Sequence, residues 1–146
     1  ESARESAARA FLARPGVGLD ADWVAETVAE TLAILAHPDL EGLFGPEGRA
    51  EVPLTGRIGN TVVGGLVDRI AVTEEAVLLA DFKTNRDPPE RVEDTPLLYL
   101  TQMAAYRAIL RAIFPGRDTR CALVWTRTGL VEILPGALLD RYQPPA

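Results

Sequence analysis

Two carboxylates and an ammonium fall within GGLVDRIAVTEEAVLLADFKTNRD, residues 64–87, where most neighbouring side chains are apolar. Asp81 and Lys83 are two positions apart, so on a strand they share one face while Phe82 points to the other. At a rise of about 3.3 Å per residue their α-carbons stand about 6.6 Å apart. That spacing leaves a gap in which an ion, a water or a phosphate oxygen can lie between carboxylate and ammonium. Asp68, on the preceding apolar run, can bring a second carboxylate to the same edge. Two carboxylates about 4 Å apart repel by about 4 kcal/mol at an effective dielectric constant of about 20, and a divalent cation reverses that sign. Hard oxygen ligands suit Mg2+, which takes one or two carboxylates and fills its shell with waters and substrate phosphate. The same residues also allow a plain Asp–Lys ion pair at a sheet end, with Asp68 an ordinary turn-facing carboxylate.

Other residues with chemical potential are few. The one histidine, His37, stands at a helix end, where its charge would favour the helix C-terminus. Gln102 and Tyr106 are four apart on a helical pattern, on a face shared with Leu98, Ile109 and Ile113. A glutamine on a core-facing stripe needs a hydrogen-bond partner. Glu51 opens the first strand, where an edge charge is the plain reading. A serine triad would have to use Ser2 or Ser6, both in the N-terminal segment, and Cys121 opens an apolar strand that reads as core. Arg57, Arg69, Arg86, Arg107 and Arg111 could line a path for a phosphate backbone. Aromatic residues make up 6% of the chain, too few for an evident base-stacking platform.

The elements that must position these residues follow from periodicity and breakers. Residues 1–13 read as a helix, 14–20 as a Pro/Gly loop, and 22–37 as an amphipathic helix ended by Pro38. The segment EGLFGPEG reads as a loop. Strands at 50–58 and 61–72 flank Gly59-Asn60, a two-residue hairpin signal, and 76–84 is a third strand. A polar connection at 85–96 leads to a helix over 97–114, a second hairpin over 121–126 and 129–134, and a short helix at 136–142. The order predicts one domain with a mixed sheet of about five strands flanked by helices, α/β in class. A chain of 146 residues, 47% hydrophobic and 25% charged, suits one globular domain. The start at Glu1 suggests a piece cut from a longer protein. A single cysteine cannot pair internally or hold a multi-thiolate metal site, so a cytoplasmic setting is expected. A net charge of −6 argues against gripping nucleic acid by charge alone, though an acidic site that recruits a cation could still act on it.

The ordered set His37, GLVD (65–68), DFK (81–83) and QMAAY (102–106) resembles the RecB-type nuclease domain of the PD-(D/E)XK superfamily, most closely the AddA type. The resemblance spans nearly the whole chain and implies a restriction-endonuclease-like core. It implies a Mg2+-dependent exonuclease, with Mn2+ as a substitute, that cuts unwound single-stranded DNA during double-strand-break repair. His37, Asp68 and Asp81, with the backbone carbonyl of Phe82, would be metal ligands. Lys83 would be the catalytic lysine, and Gln102 and Tyr106 would contact DNA or orient the site. Glu51 matches a position often acidic in the family. Relatives with an iron–sulfur cluster use four cysteines, so none is expected here. The implied partners are the helicase region of a parent chain and an AddB-like subunit. A degenerate nuclease fold serving as a binding module is the alternative.

Overall fold

In the first helix, α1 (Ala3–Leu12), the Ser2 hydroxyl accepts the Glu5 amide, and Asp20 caps α2 (Ala21–Leu35) by accepting the Trp23 amide. The computed structural model describes residues 2–14, 18, 20–85 and 87–144. The expected loop at 14–20 lies outside them except for Arg14, Gly18 and Asp20, and so does Arg86. Beyond α2 the sequence reading needs correcting. Residues Pro38–Phe44, taken for the most part as loop, form a 3-10 helix with Leu40 and Leu43 fully buried. Pro38 at the first position lacks an amide the turn would leave unpaired, and the two leucines, three apart, lie on one side of a helix with three residues per turn.

Strands β1 (Gly48–Ile58), β2 (Thr61–Val72) and β3 (Ala76–Lys83) form an antiparallel meander. Gly59, at φ 54°, supplies the left-handed turn that lets Ile58 pair with Thr61. Helix α3 (Leu97–Ile113) then crosses over to β4 (Asp118–Trp125), parallel to β3, and β5 (Leu130–Leu134) returns antiparallel. The result is one five-stranded mixed sheet in the order β1-β2-β3-β4-β5 among the described residues. A short helix, α4 (Gly136–Leu139), closes the chain's packing against α3.

The sheet is covered on both faces, which is why β3 and β4 read as nearly continuous apolar runs. On one face Leu100, Met103, Tyr106, Ile109 and Leu110 of α3 meet Val67, Ile70, Val77, Leu79 and Leu123. On the other, Ile34 of α2 and Leu40 and Leu43 meet Ala71, Ala80, Ala122 and Val124. Leu98 and Ile113, expected on the core stripe of α3, are 74% and 50% exposed. The buried stripe is instead centred on Leu100, Met103 and Leu110, because the crossover lays α3 on the sheet through that face. Cys121 is buried on the α3 side, and burial pushes its thiol up to about 12, which removes it as a nucleophile at neutral pH. No described helix is long and apolar enough to cross a membrane.

Candidate active site

The backbone ladder between β2 and β3 joins residues 69–72 to 77–80, and beyond Ala80 a side chain takes over. The Phe82 amide donates to Asp68 Oδ2 at 2.8 Å, so a carboxylate holds the place of the next strand carbonyl. Strand alternation then does what its period requires: Asp81 and Lys83 both face α3, and Phe82 faces α2, lining a cavity with Trp23, Ile34 and Phe44.

The gap expected between Asp81 and Lys83 is closed. Lys83 Nζ lies 2.5 Å from Asp81 Oδ2, since the flexible lysine stem folds back along its strand onto a carboxylate that is only 5% exposed. Gln102, on α3, ties the pair together. Its Nε2 donates to Asp81 Oδ1 at 3.1 Å and its Oε1 accepts from Lys83 Nζ at 3.3 Å. Only this amide orientation satisfies both charges, because the flipped one would set oxygen against carboxylate and N–H against ammonium. Gln102 Nε2 also reaches Tyr106 Oη at 3.4 Å. The partner that the sequence demanded for this glutamine is therefore the ion pair itself.

Tyr99, Trp125, Asn85 and Gly65 also contribute, and sequence reasoning gave none of them a role. Lys83 Nζ stands 3.9 Å from the centre of the Tyr99 ring, which is tilted 60° against Trp125. Tyr99 Oη in turn donates to Asn85 Oδ1 at 3.2 Å. Tyr99 lies three residues before Gln102, a spacing that places both on one side of α3 and was available as a signal. Gly65, in the GLVD run, has no side chain for a spatial reason: a Cβ there would fall 2.0 Å from Tyr106 Oη.

Burial pushes the Asp81 carboxyl above its ordinary range, and the nearby Asp68 charge pushes the same way. The hydrogen bond and charge of Lys83, and the Gln102 amide, pull it back. Two neighbouring carboxylates, one of them buried, are hard oxygen donors of the kind a Mg2+-class cation takes, so Asp68 and Asp81 fit such an ion. The structure does not bring His37 to them. Its Nδ1 accepts the Asp39 amide at 3.3 Å, and it lines a separate cavity with Arg4, Glu41 and Gly45. Among the described residues, no three His, Cys, Asp or Glu side chains gather as a metal cluster.

Glu51 is the other residue at this place. The β1–β2 register runs from Gly48↔Ala71 to Ile58↔Thr61 and skips the position where Glu51 lies opposite Asp68. Glu51 has φ 53°, a left-handed conformation that costs a non-glycine residue about 1–2 kcal/mol. Four of the candidate arginines are engaged elsewhere, Arg86 lying outside the described residues. Arg57 binds Gly59 O and Asn60, Arg69 donates to Leu43 O, and Arg107 pairs with Asp140 at 2.6 Å with Arg111 at 3.9 Å from the same carboxylate.

A family model described as the PD-(D/E)XK nuclease superfamily matches residues 1–132. A comparison with curated proteins gave no match.

Proposed function

The chain belongs to the PD-(D/E)XK nuclease superfamily, and from that premise we propose that it cuts single-stranded DNA as the nuclease part of a helicase–nuclease. It is a nuclease of restriction-endonuclease-like fold, with a five-stranded mixed sheet between helices. The finer reading is a cytoplasmic, Mg2+-dependent exonuclease of the AddA type, working on strands unwound in double-strand-break repair beside an AddB-like subunit. The observation that carries the reading is the buried Asp81–Lys83 pair, bridged by Gln102, next to Asp68 where two strands cease to be joined by backbone.

A divalent cation bound by Asp68 and Asp81 would polarise the scissile phosphate and lower the pKa of attacking water. The chain's own groups supply the rest. Asp81 is held on two sides, by Lys83 at Oδ2 and Gln102 at Oδ1, so its carboxylate plane is fixed before substrate arrives. Lys83 places a positive charge where negative charge develops on the phosphate, and its low exposure keeps that charge unscreened. Gln102 can keep hold of both when the ion pair loosens, because it bonds each independently. The role of His37 as a further ligand would require it to exchange its present contact with Asp39 for one with the acids.

The deciding experiment incubates the whole chain with Mg2+ and labelled single-stranded DNA, duplex DNA or RNA. Mg2+-dependent release of short products from single-stranded DNA, lost in Lys83→Ala and Asp81→Ala, is the expected result. Equal cleavage by either variant, or preference for RNA, would overturn it.

A further inference from the structure

The side chains of β2 do not keep one alternation from end to end. Val67 and Ile70 are three apart, yet both are buried against α3. Leu66 is on the opposite, uncovered side, and Arg69, also three residues on, reaches Leu43 on that side. The switch of faces falls on Asp68. In β1, Arg49 and Val52 are likewise three apart and line one cavity with Leu110 of α3 and with Phe114 just beyond its end, so the switch there spans Glu51. Both strands therefore change phase at the one pair of residues their register skips. The crease frees Asp68 from either face set, and its carboxylate points along the sheet to the Phe82 amide.

We propose that Glu51 is a positioning residue whose left-handed backbone makes this crease and so aims Asp68 at the strand that carries Asp81 and Lys83. Its action is through φ, not through its carboxylate: the residue is exposed, and the feature that sets it apart is the 53° angle in the middle of a strand. Strain of this kind persists where surrounding structure enforces it and clusters at functional sites. The inference rests on Asp68 being a site carboxylate, and its test is arranged to separate the two.

Glu51→Val disfavours the left-handed region, Glu51→Gly accepts it freely, and Glu51→Gln keeps the shape while removing the charge. Two quantities are read on the whole chain: hydrogen exchange of the Phe82 amide, and Mg2+-dependent cleavage of single-stranded DNA. Glu51→Val is expected to speed Phe82 exchange by about tenfold and to cut cleavage by about the same factor, through kcat more than KM. Glu51→Gly, the rescue arm, and Glu51→Gln, which keeps the side chain's shape without its charge, are both expected to keep the two quantities within about threefold of the unaltered chain. If Glu51→Val fails to fold, Glu51→Ala gives a milder bias and about a threefold change in exchange. Loss of cleavage in Gly and Gln alike, with Phe82 protected in both, would overturn the proposal in favour of the carboxylate. Unchanged Phe82 exchange in Glu51→Val would overturn it too. Should the unaltered chain not cleave DNA at all, the nuclease reading falls, while the exchange data still decide what Glu51 does to Asp68.

Discussion

Over residues 69–72 and 77–80, β2 and β3 are joined by backbone hydrogen bonds and packed by Ile70, Val77 and Leu79, all nearly or fully buried. One residue further along, the same strands are joined by a carboxylate on an amide, and the side chains between them and α3 are Asp81, Lys83, Gln102 and Tyr106. The paired half is stabilised by apolar burial, which is non-directional and tolerates small shifts. The parted half depends on a few directional contacts in a low-dielectric setting, where losing one member leaves another unpaired. The difference teaches how the candidate site is held: where β2 and β3 part, the Phe82 amide is left for the Asp68 carboxylate, while the pairing of Asp81, Phe82 and Lys83 with β4 and the apolar layer beside it keep the strand still.

If that contrast is right, mutations in the two halves must fail differently. Leu79→Ala, in the paired half, should cost about 2–5 kcal/mol in denaturant unfolding while cleavage per folded molecule is kept. Lys83→Ala should lower cleavage by about 100- to 1,000-fold or more, the scale of losing one preorganised charge-stabilising group. Circular dichroism and turnover on matched samples separate the two outcomes. A Leu79→Ala chain that stays stable but inactive would erase the distinction.

A smaller effect sharpens it. Gly65 lies in β2 where Tyr106 crosses, and an added Cβ would meet both Oη and, at 2.8 Å, the ring carbon that carries it. Gly65→Ala should destabilise by about 1–3 kcal/mol, as overpacking does, and should weaken the Gln102 contact with Tyr106. Adding Tyr106→Phe should recover part of the lost stability, because the closest clash goes with the hydroxyl. No recovery in that double variant would mean the strand, and not the tyrosine, absorbs the strain.

Much of this is legible in the sequence. A period of two puts Asp81 and Lys83 on one face whatever the fold, Gly59-Asn60 marks the hairpin, and an internal glutamine on α3 demands a partner. What escaped depends on tertiary placement. Whether a lysine four carbons long reaches out or folds back onto Asp81 is decided by the Tyr99 ring and the Gln102 oxygen, both from another element. The 3-10 helix at 38–44 is short and held by burial of two leucines, so propensity says little about it. Glutamate has no particular leaning to positive φ, so nothing in the letters announces Glu51 as a crease. A lone histidine carries no record of its neighbours either, and His37 reads the same whether it meets Asp39 or Asp68.

The smallest expected effect concerns the balance inside the parted half, because burial and Lys83 pull the Asp81 carboxyl in opposite directions and burial pulls harder. A carboxyl whose folded pKa lies above its ordinary 3.8 binds protons more readily folded than unfolded. Stability must then fall as pH rises from about the unfolded value through the raised folded one, and stay level above it. Asp81→Asn removes this dependence. It also removes the partner of Lys83, and that contribution is already contained in the net upward direction of the Asp81 shift, because the pair is charged on both sides only where Asp81 is ionised. The stability of Asp81→Asn minus that of the unaltered chain should therefore grow with pH above about 4 and then flatten, whatever its sign at the start. Denaturant melts of both chains at closely spaced pH values measure it. A difference that shrinks with pH would mean the ammonium outweighs burial, and that the pair at the end of β3 is held together by charge in the way a plain ion pair is.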